Sequence, residues 1–181
     1  FLRLIIIPEL GGRIFEAYDK VNKYDFLYRQ HCIKPALIGA YGLWISGGLE
    51  FNWPFHHRPS TYMPVNFTTE TKPDGTAITW LSECDPTDRT RCTIGVVLRP
   101  DAAYFETKIQ VINRTELRHS FLMWQNAAVA VNDNYQFIFP PDVNYANNHY
   151  SMGKPSVNYP MAHGAYASAF YDEPIDISWY K

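Results

Sequence analysis

The chain has 181 residues, 46% of them hydrophobic, which is enough for one domain with a real core or for part of a larger one. Its formal net charge of -2 and isoelectric point near 6.3 remove the electrostatic basis for binding nucleic acid or an anionic membrane. No apolar run approaches the length of a membrane span, so no membrane insertion is expected.

The first segments, FLRLIIIPE and RIFEAYD, are rich in branched and aromatic residues and are split by Gly11-Gly12, which predicts two short strands. WISGGLEFNWPFHHRP (Trp44–Pro59) follows. It sets a glycine pair before a carboxylate, between tryptophans and ahead of two adjacent histidines. Thr76–Glu83, Thr90–Leu98 and Ala103–Asn113 read as three further strands. The turns KPDG, DPTD and RPDA punctuate them, each with a proline that presets the bend. In Ala103–Asn113, Tyr104, Glu106, Lys108 and Gln110 alternate with Phe105, Thr107, Ile109 and Val111, so one face is wet and the other buried. HSFLMWQNAAVAV (His119–Val131) alternates less and is expected to be a central strand covered on both faces.

Regular spacing of strands and turns predicts an all-β fold, an antiparallel β-sandwich. Residues 1–181 are expected to form a single domain with a long ordered loop at about 143–175, where Asn, Tyr, Ser, Gly and Pro dominate without periodicity. The aromatics of that loop set it apart from a disordered tail. Phe1 opens directly on a strand and the chain stops in DISWYK, as an internal piece of a longer protein would, with the sandwich incomplete at its C-terminal end. Cys32, Cys84 and Cys92 lack metal spacing; Cys84 and Cys92 flank a polar loop, and two buried free thiols are expected rather than a bridge. Neither cysteine usage nor the N-terminus fixes the compartment, with a periplasmic or extracellular setting favoured.

Four pieces carry a family likeness: PELGGRIFEAYDK (Pro8–Lys20), SGGLEFNWP (Ser46–Pro54), VINRTELRHSFLMWQNAAV (Val111–Val129) and NDNYQFIFPP (Asn132–Pro141). In that order they resemble the galactose-mutarotase-like superfamily, and best a bacterial branch of it often followed by helical repeats. The resemblance implies a β-supersandwich whose concave sheet binds carbohydrate. It also implies an acid histidine and a base glutamate on opposite sides of one sugar. His56 or His57 falls near the family's first histidine. Where the second would stand, near Trp124–Asn126, this chain has Trp, Gln and Asn, and Asn126 can hydrogen-bond a hydroxyl but cannot act as an acid.

The residues themselves allow the following roles. Glu50 sits between Leu49 and Phe51, so its carboxylate must be paired, protonated or turned to a polar cavity. It is either a site residue, as base or hydroxyl acceptor, or a structural partner of Arg13 or Arg58. His57 is its acid–base complement. His56, on the next residue of an extended strand, would point to the other face. Arg13, Trp53, His56, Trp124, Asn126 and Asp133 are candidate sugar contacts, the indole rings as stacking platforms. One of Trp44, Trp53 and Trp124 should see solvent, with Trp53 or Trp124 favoured. A glycosidase would need a second carboxylate, for which Asp133, Asp142 and a residue after Lys181 are candidates. A metal site built from His56 or His57 with His149 and His163 matches no ligand spacing, so neither metal nor cofactor is expected. The expected partner is a carbohydrate ligand, without nucleic acid, and with contact to further domains or to a second copy through the tyrosine-rich loop. Two alternatives stand beside a sugar-active epimerase or glycosidase: a non-catalytic accessory domain, and an interaction module of a larger protein.

Overall fold

The computed structural model of the chain describes residues 1–37, 43–54, 57, 59–130, 132, 138, 140–147, 156–158, 161–162 and 165–166. Its elements divide between two compact units, Phe1–Ala130 and Val131–Asp176. The first unit is an all-β sandwich of two antiparallel sheets. One sheet takes β1 (Leu2–Ile7), β2 (Arg13–Asp19), β6 (Leu49–Asn52) and β11 (Trp124–Ala127) in the order β1-β2-β6-β11, with β3 (Tyr24–Asp25) also on β2. The other is the meander β10-β9-β8-β7, made of β7 (Asn66–Thr71), β8 (Ala77–Cys84), β9 (Thr90–Leu98) and β10 (Phe105–Asn113). A small hairpin joins β4 (Pro35–Leu37) to β5 (Leu43–Ile45).

The core lies between the two large sheets. Ile14, Ala17, Leu49 and Phe51 from the first meet Leu81, Cys92, Ile94 and Val96 from the second, with Leu27 and Trp53 between them. Leu49 and Phe51 on one strand and Cys92, Ile94 and Val96 on another are alternate positions, as a two-residue side-chain period requires. A bulge shifts the β1–β2 register between Ile5 and Ile6. Ile14 and Ala17 therefore both point to the core although they are three residues apart.

The turns form as their residues dictate. Asp74 Oδ1 accepts from the Thr76 N–H at 2.9 Å in KPDG, and Asp85 Oδ1 from the N–H groups of Thr87 and Asp88 in DPTD. Strands β8, β9 and β10 fall within two residues of their expected limits.

Three expectations need correction. His119–Val131 contributes only β11, which pairs with β6 at the end of its sheet among the described residues, and Phe121 and Leu122 are more than half exposed. The segment is apolar, but it is not covered on both faces. Among the described residues strand β10 also ends its sheet, and Ile109, on the inward parity with Phe105 and Val111, is 37% exposed. All three cysteines are free, but only Cys92 is buried. Cys92 pairs in register with Glu83 and Cys84 with Arg91, so the two thiols project from opposite faces of the hairpin.

The second unit holds two short hairpins, β12 (Tyr145–Asn147) with β13 (Ser156–Asn158) and β14 (Met161–Ala162) with β15 (Ala165–Tyr166). Apart from Val143 and Asn144, the remainder of the expected 143–175 loop lies outside the described residues. No helix among the described residues is long and apolar enough to cross a membrane.

Candidate functional site

Strand β6 reads Leu49-Glu50-Phe51-Asn52, and all four residues are buried. Leu49 and Phe51 belong to the core. Glu50 and Asn52 therefore project from the other face of the five-stranded sheet, where the short turn Pro59–Tyr62 packs against β6. The glycine pair places this strand. Gly47 and Gly48 have φ of +94° and +71°, and a Cβ on Gly48 would fall 2.4 Å from the Ile14 carbonyl oxygen. Only glycine allows β6 to enter so close to β2 in that conformation.

Glu50 is the centre of a polar cluster. Its Oε2 accepts from Arg13 Nη2 at 2.7 Å and from the Thr61 hydroxyl at 3.2 Å. Its Oε1 accepts from Asn52 Nδ2 at 3.0 Å and Asn126 Nδ2 at 3.1 Å. His57 Nδ1 lies 2.7 Å from the same Oε1, off the line a ring N–H would need for a good hydrogen bond. Arg13 also donates through Nη1 to the Gly47 carbonyl, tying the cluster to the glycine hinge. The donors come from β2, β6, β11 and the loop after β6, so the carboxylate joins segments far apart in sequence.

Arg13 and Glu50 are each 2% exposed. Burial opposes ionisation of Glu50, but the Arg13 charge, the Asn52 and Asn126 amides and the His57 charge together hold its pKa below the ordinary value. Burial likewise lowers the pKa of Arg13, with Glu50 pulling the other way. Four donors occupy the roughly four lone-pair positions a carboxylate offers. Such a group is an ionised anchor, with little capacity left to take a proton from a substrate.

Towards the surface the cluster ends in three less buried side chains. Asn126 and Trp124 are half-buried, and His57 is close to fully buried with its side chain 10% exposed. The His57 ring meets the Trp124 indole edge-on, with centroids 4.8 Å apart and planes at 76°. Trp124 and Asn126 sit opposite Asn52 and Glu50 in the β11–β6 register, and so share their face of the sheet.

The structure thus brings together Glu50, His57, Arg13, Trp124 and Asn126. It does not bring Trp53, which is 3% exposed and packs in the core. Trp53 follows Asn52 on the core-facing parity of β6, so it offers no platform to a ligand. His56, Arg58, Asp133, His149 and His163 lie outside the described residues; Asp142 is exposed in a turn. Among the described residues no cluster of three or more His, Cys, Asp or Glu is arranged to hold a metal ion.

Sequence reasoning missed two members of the cluster. Asn52 stands two residues from Glu50, and strand periodicity alone places it on the same face. Thr61 arrives through the turn after His57 and leaves no comparable signal. A second buried carboxylate, Glu16, was also missed. It lies on the same face of the sheet, bonded to Arg3 Nε at 2.7 Å and to Arg29 Nη1.

The fold is similar to that of a solved protein, a TPR-domain containing protein from Parabacteroides distasonis. The match has a TM-score of 0.67 and 21% identity over 71% of this chain, and this chain spans 22% of that one. Likeness at that identity speaks for the fold alone. The chain belongs to the family described as a domain of unknown function, DUF5107, which matches residues 1–181.

Proposed function

We propose that the face of the five-stranded sheet around Glu50 recognises carbohydrate, and that the domain binds sugar without transforming it. The observation that carries this reading is the saturated Glu50 carboxylate. It fixes Asn126 and Asn52, each through one end of its amide, and lies 2.7 Å from His57 Nδ1. A site of oriented amide and imidazole groups beside a partly exposed indole suits hydroxyl recognition with ring stacking. In this reading Glu50 and Arg13 are positioning residues behind the contact surface, and Trp124, Asn126 and His57 touch the ligand. Sugar-directed catalysis would need Glu50 to give up a donor before it accepted a proton, which its environment disfavours.

A second reading is an accessory or interaction domain of a larger protein. It is favoured by the solved relative, in which a matching region makes up 22% of a chain named for TPR domains. Ligand-observed proton NMR with mixed mono- and oligosaccharides tests the proposal. Saturation transfer that disappears in Trp124→Ala, with no change in the rate of anomer exchange, is the expected result. Accelerated exchange or a new reducing end would refute binding without chemistry. An absence of transfer from every sugar to folded protein would end the carbohydrate reading.

A further inference from the structure

The outer face of the four-stranded sheet carries a second aromatic feature, remote from Glu50. Thr68, Trp80, Gly95 and Lys108 form one cross-strand row on β7, β8, β9 and β10. A Cβ built on Gly95 would lie 2.5 Å from Trp80 Cζ3 and 2.8 and 2.9 Å from its ring neighbours Cε3 and Cη2. Nearly equal distances to an atom and both its neighbours place that point over the ring face rather than at its edge. The indole therefore lies flat on Gly95, with one face on the backbone and the other turned away from the sheet. Its N–H donates to Glu70 Oε1 at 3.2 Å, which fixes the ring's rotation.

Covering a glycine with an aromatic ring strengthens a sheet, and that accounts for the inner face of the indole. It does not account for what surrounds the outer face. On one side the neighbouring row of the same face is Asn66, Ser82, Thr93 and Gln110, all uncharged hydrogen-bonding side chains, and on the other it is Glu70, Ile78, Val97 and Glu106, whose two apolar members are buried. Ser82 and Thr93 hold each other at 3.2 Å, and Arg91 Nε donates to Ser82. The charges flanking the ring, Glu70 and Lys108, are one of each sign, unlike the basic surface that nucleic acid requires. Peptides add to sheets along strand edges, whereas this ring lies on an inner strand and faces outward.

We propose that Trp80 and the Asn66–Ser82–Thr93–Gln110 row form a flat docking platform for an extended, uncharged oligosaccharide. One sugar ring would stack on the outer indole face, and neighbouring hydroxyls would meet the polar row about one to two strand spacings away.

Indole 15N–1H NMR of the chain gives the test, with the Trp80 signal assigned by its loss in Trp80→Phe. Cellohexaose, mannohexaose and xylohexaose serve as probes. At least one should shift the Trp80 signal saturably at millimolar concentration, and should do so equally in Trp124→Ala, which separates this face from the site around Glu50. In Trp80→Phe, where a smaller ring still covers Gly95, retention of the protein in a gel cast with the matching polysaccharide should fall at least severalfold. An unmoved Trp80 signal with all three probes overturns the proposal. So does a shift that vanishes in Trp124→Ala, or gel retention unaffected by Trp80→Phe.

Discussion

Replacing Glu50 with Gln changes one oxygen to an NH2 group and removes one charge. Oε2 now meets the donors of Arg13 and Thr61, and Oε1 those of Asn52 and Asn126. Whichever way the new amide turns, its NH2 faces two groups that now donate to a carboxylate oxygen, so the bonds on that side are lost or must rearrange. In either orientation the amide is neutral, so a guanidinium that is 2% exposed loses its counter-charge. Breaking a buried ion pair from one side costs about 3–5 kcal/mol. At roughly 2–4 °C per kcal/mol for a chain of this size, Tm should fall by about 6–20 °C. Thermal unfolding followed by circular dichroism measures it, with urea titration as an independent check. The loss should change little between low and high salt, because a buried pair is poorly screened. The double variant Arg13→Leu/Glu50→Leu should lose less than the sum of its single changes, since each single leaves a buried charge that the double removes. A Glu50→Gln protein within about 1 kcal/mol of the parent would refute the argument, as would additive single changes.

Other outcomes follow from the same geometry. Gly48→Ala should cost at least about 2 kcal/mol, from a left-handed φ and a Cβ placed 2.4 Å from Ile14 O, read as a lower urea midpoint. Trp53→Ala should lose about 3–5 kcal/mol by opening the core, whereas Trp124→Ala should lose less than half of that and give up sugar binding instead. Glu50 has a folded pKa below its unfolded value of about 4.3, so its contribution is present above that pH and is lost as pH falls through the folded pKa. The parent should therefore lose Tm on acidification below about pH 5 more steeply than Glu50→Gln does. Thiol titration should find Cys32 and Cys84 reactive in the native protein, and Cys92 only after denaturant is added.

Much of the sandwich was legible because strand signals are local. The DPTD and KPDG turns are closed by their own aspartates, and β9 keeps the limits its branched residues suggest. What failed depended on neighbours distant in sequence. His119–Val131 is apolar enough for a central strand, but its place at the end of a sheet is set by what pairs with it. Trp53 and Trp124 look alike as letters, and only strand parity and register send one into the core and the other to the polar face. The buried pairing of Glu50 was legible as a requirement, because a carboxylate between Leu49 and Phe51 must find a partner. That Arg13 would supply it, together with Thr61 and Asn126, is a tertiary fact. Family likeness drew attention to the right stretch of chain, whereas the role of its carboxylate emerged from counting donors.

The spread of those donors along the chain also bears on the order in which the domain assembles. Residues 13, 50, 52 and 61 come together once β2 and β6 pair and the following turn closes, but Asn126 is separated from Glu50 by 76 residues and the whole β7–β10 meander. The meander is built from short-range pairings, whose loop-closure entropy is small. Until β11 reaches β6, the carboxylate is one donor short and open on the side that Asn126 later occupies. If β11 docks after the rate-limiting step, Asn126→Ala should speed unfolding and leave the folding rate nearly unchanged, whereas slowed folding would place β11 in the folding nucleus.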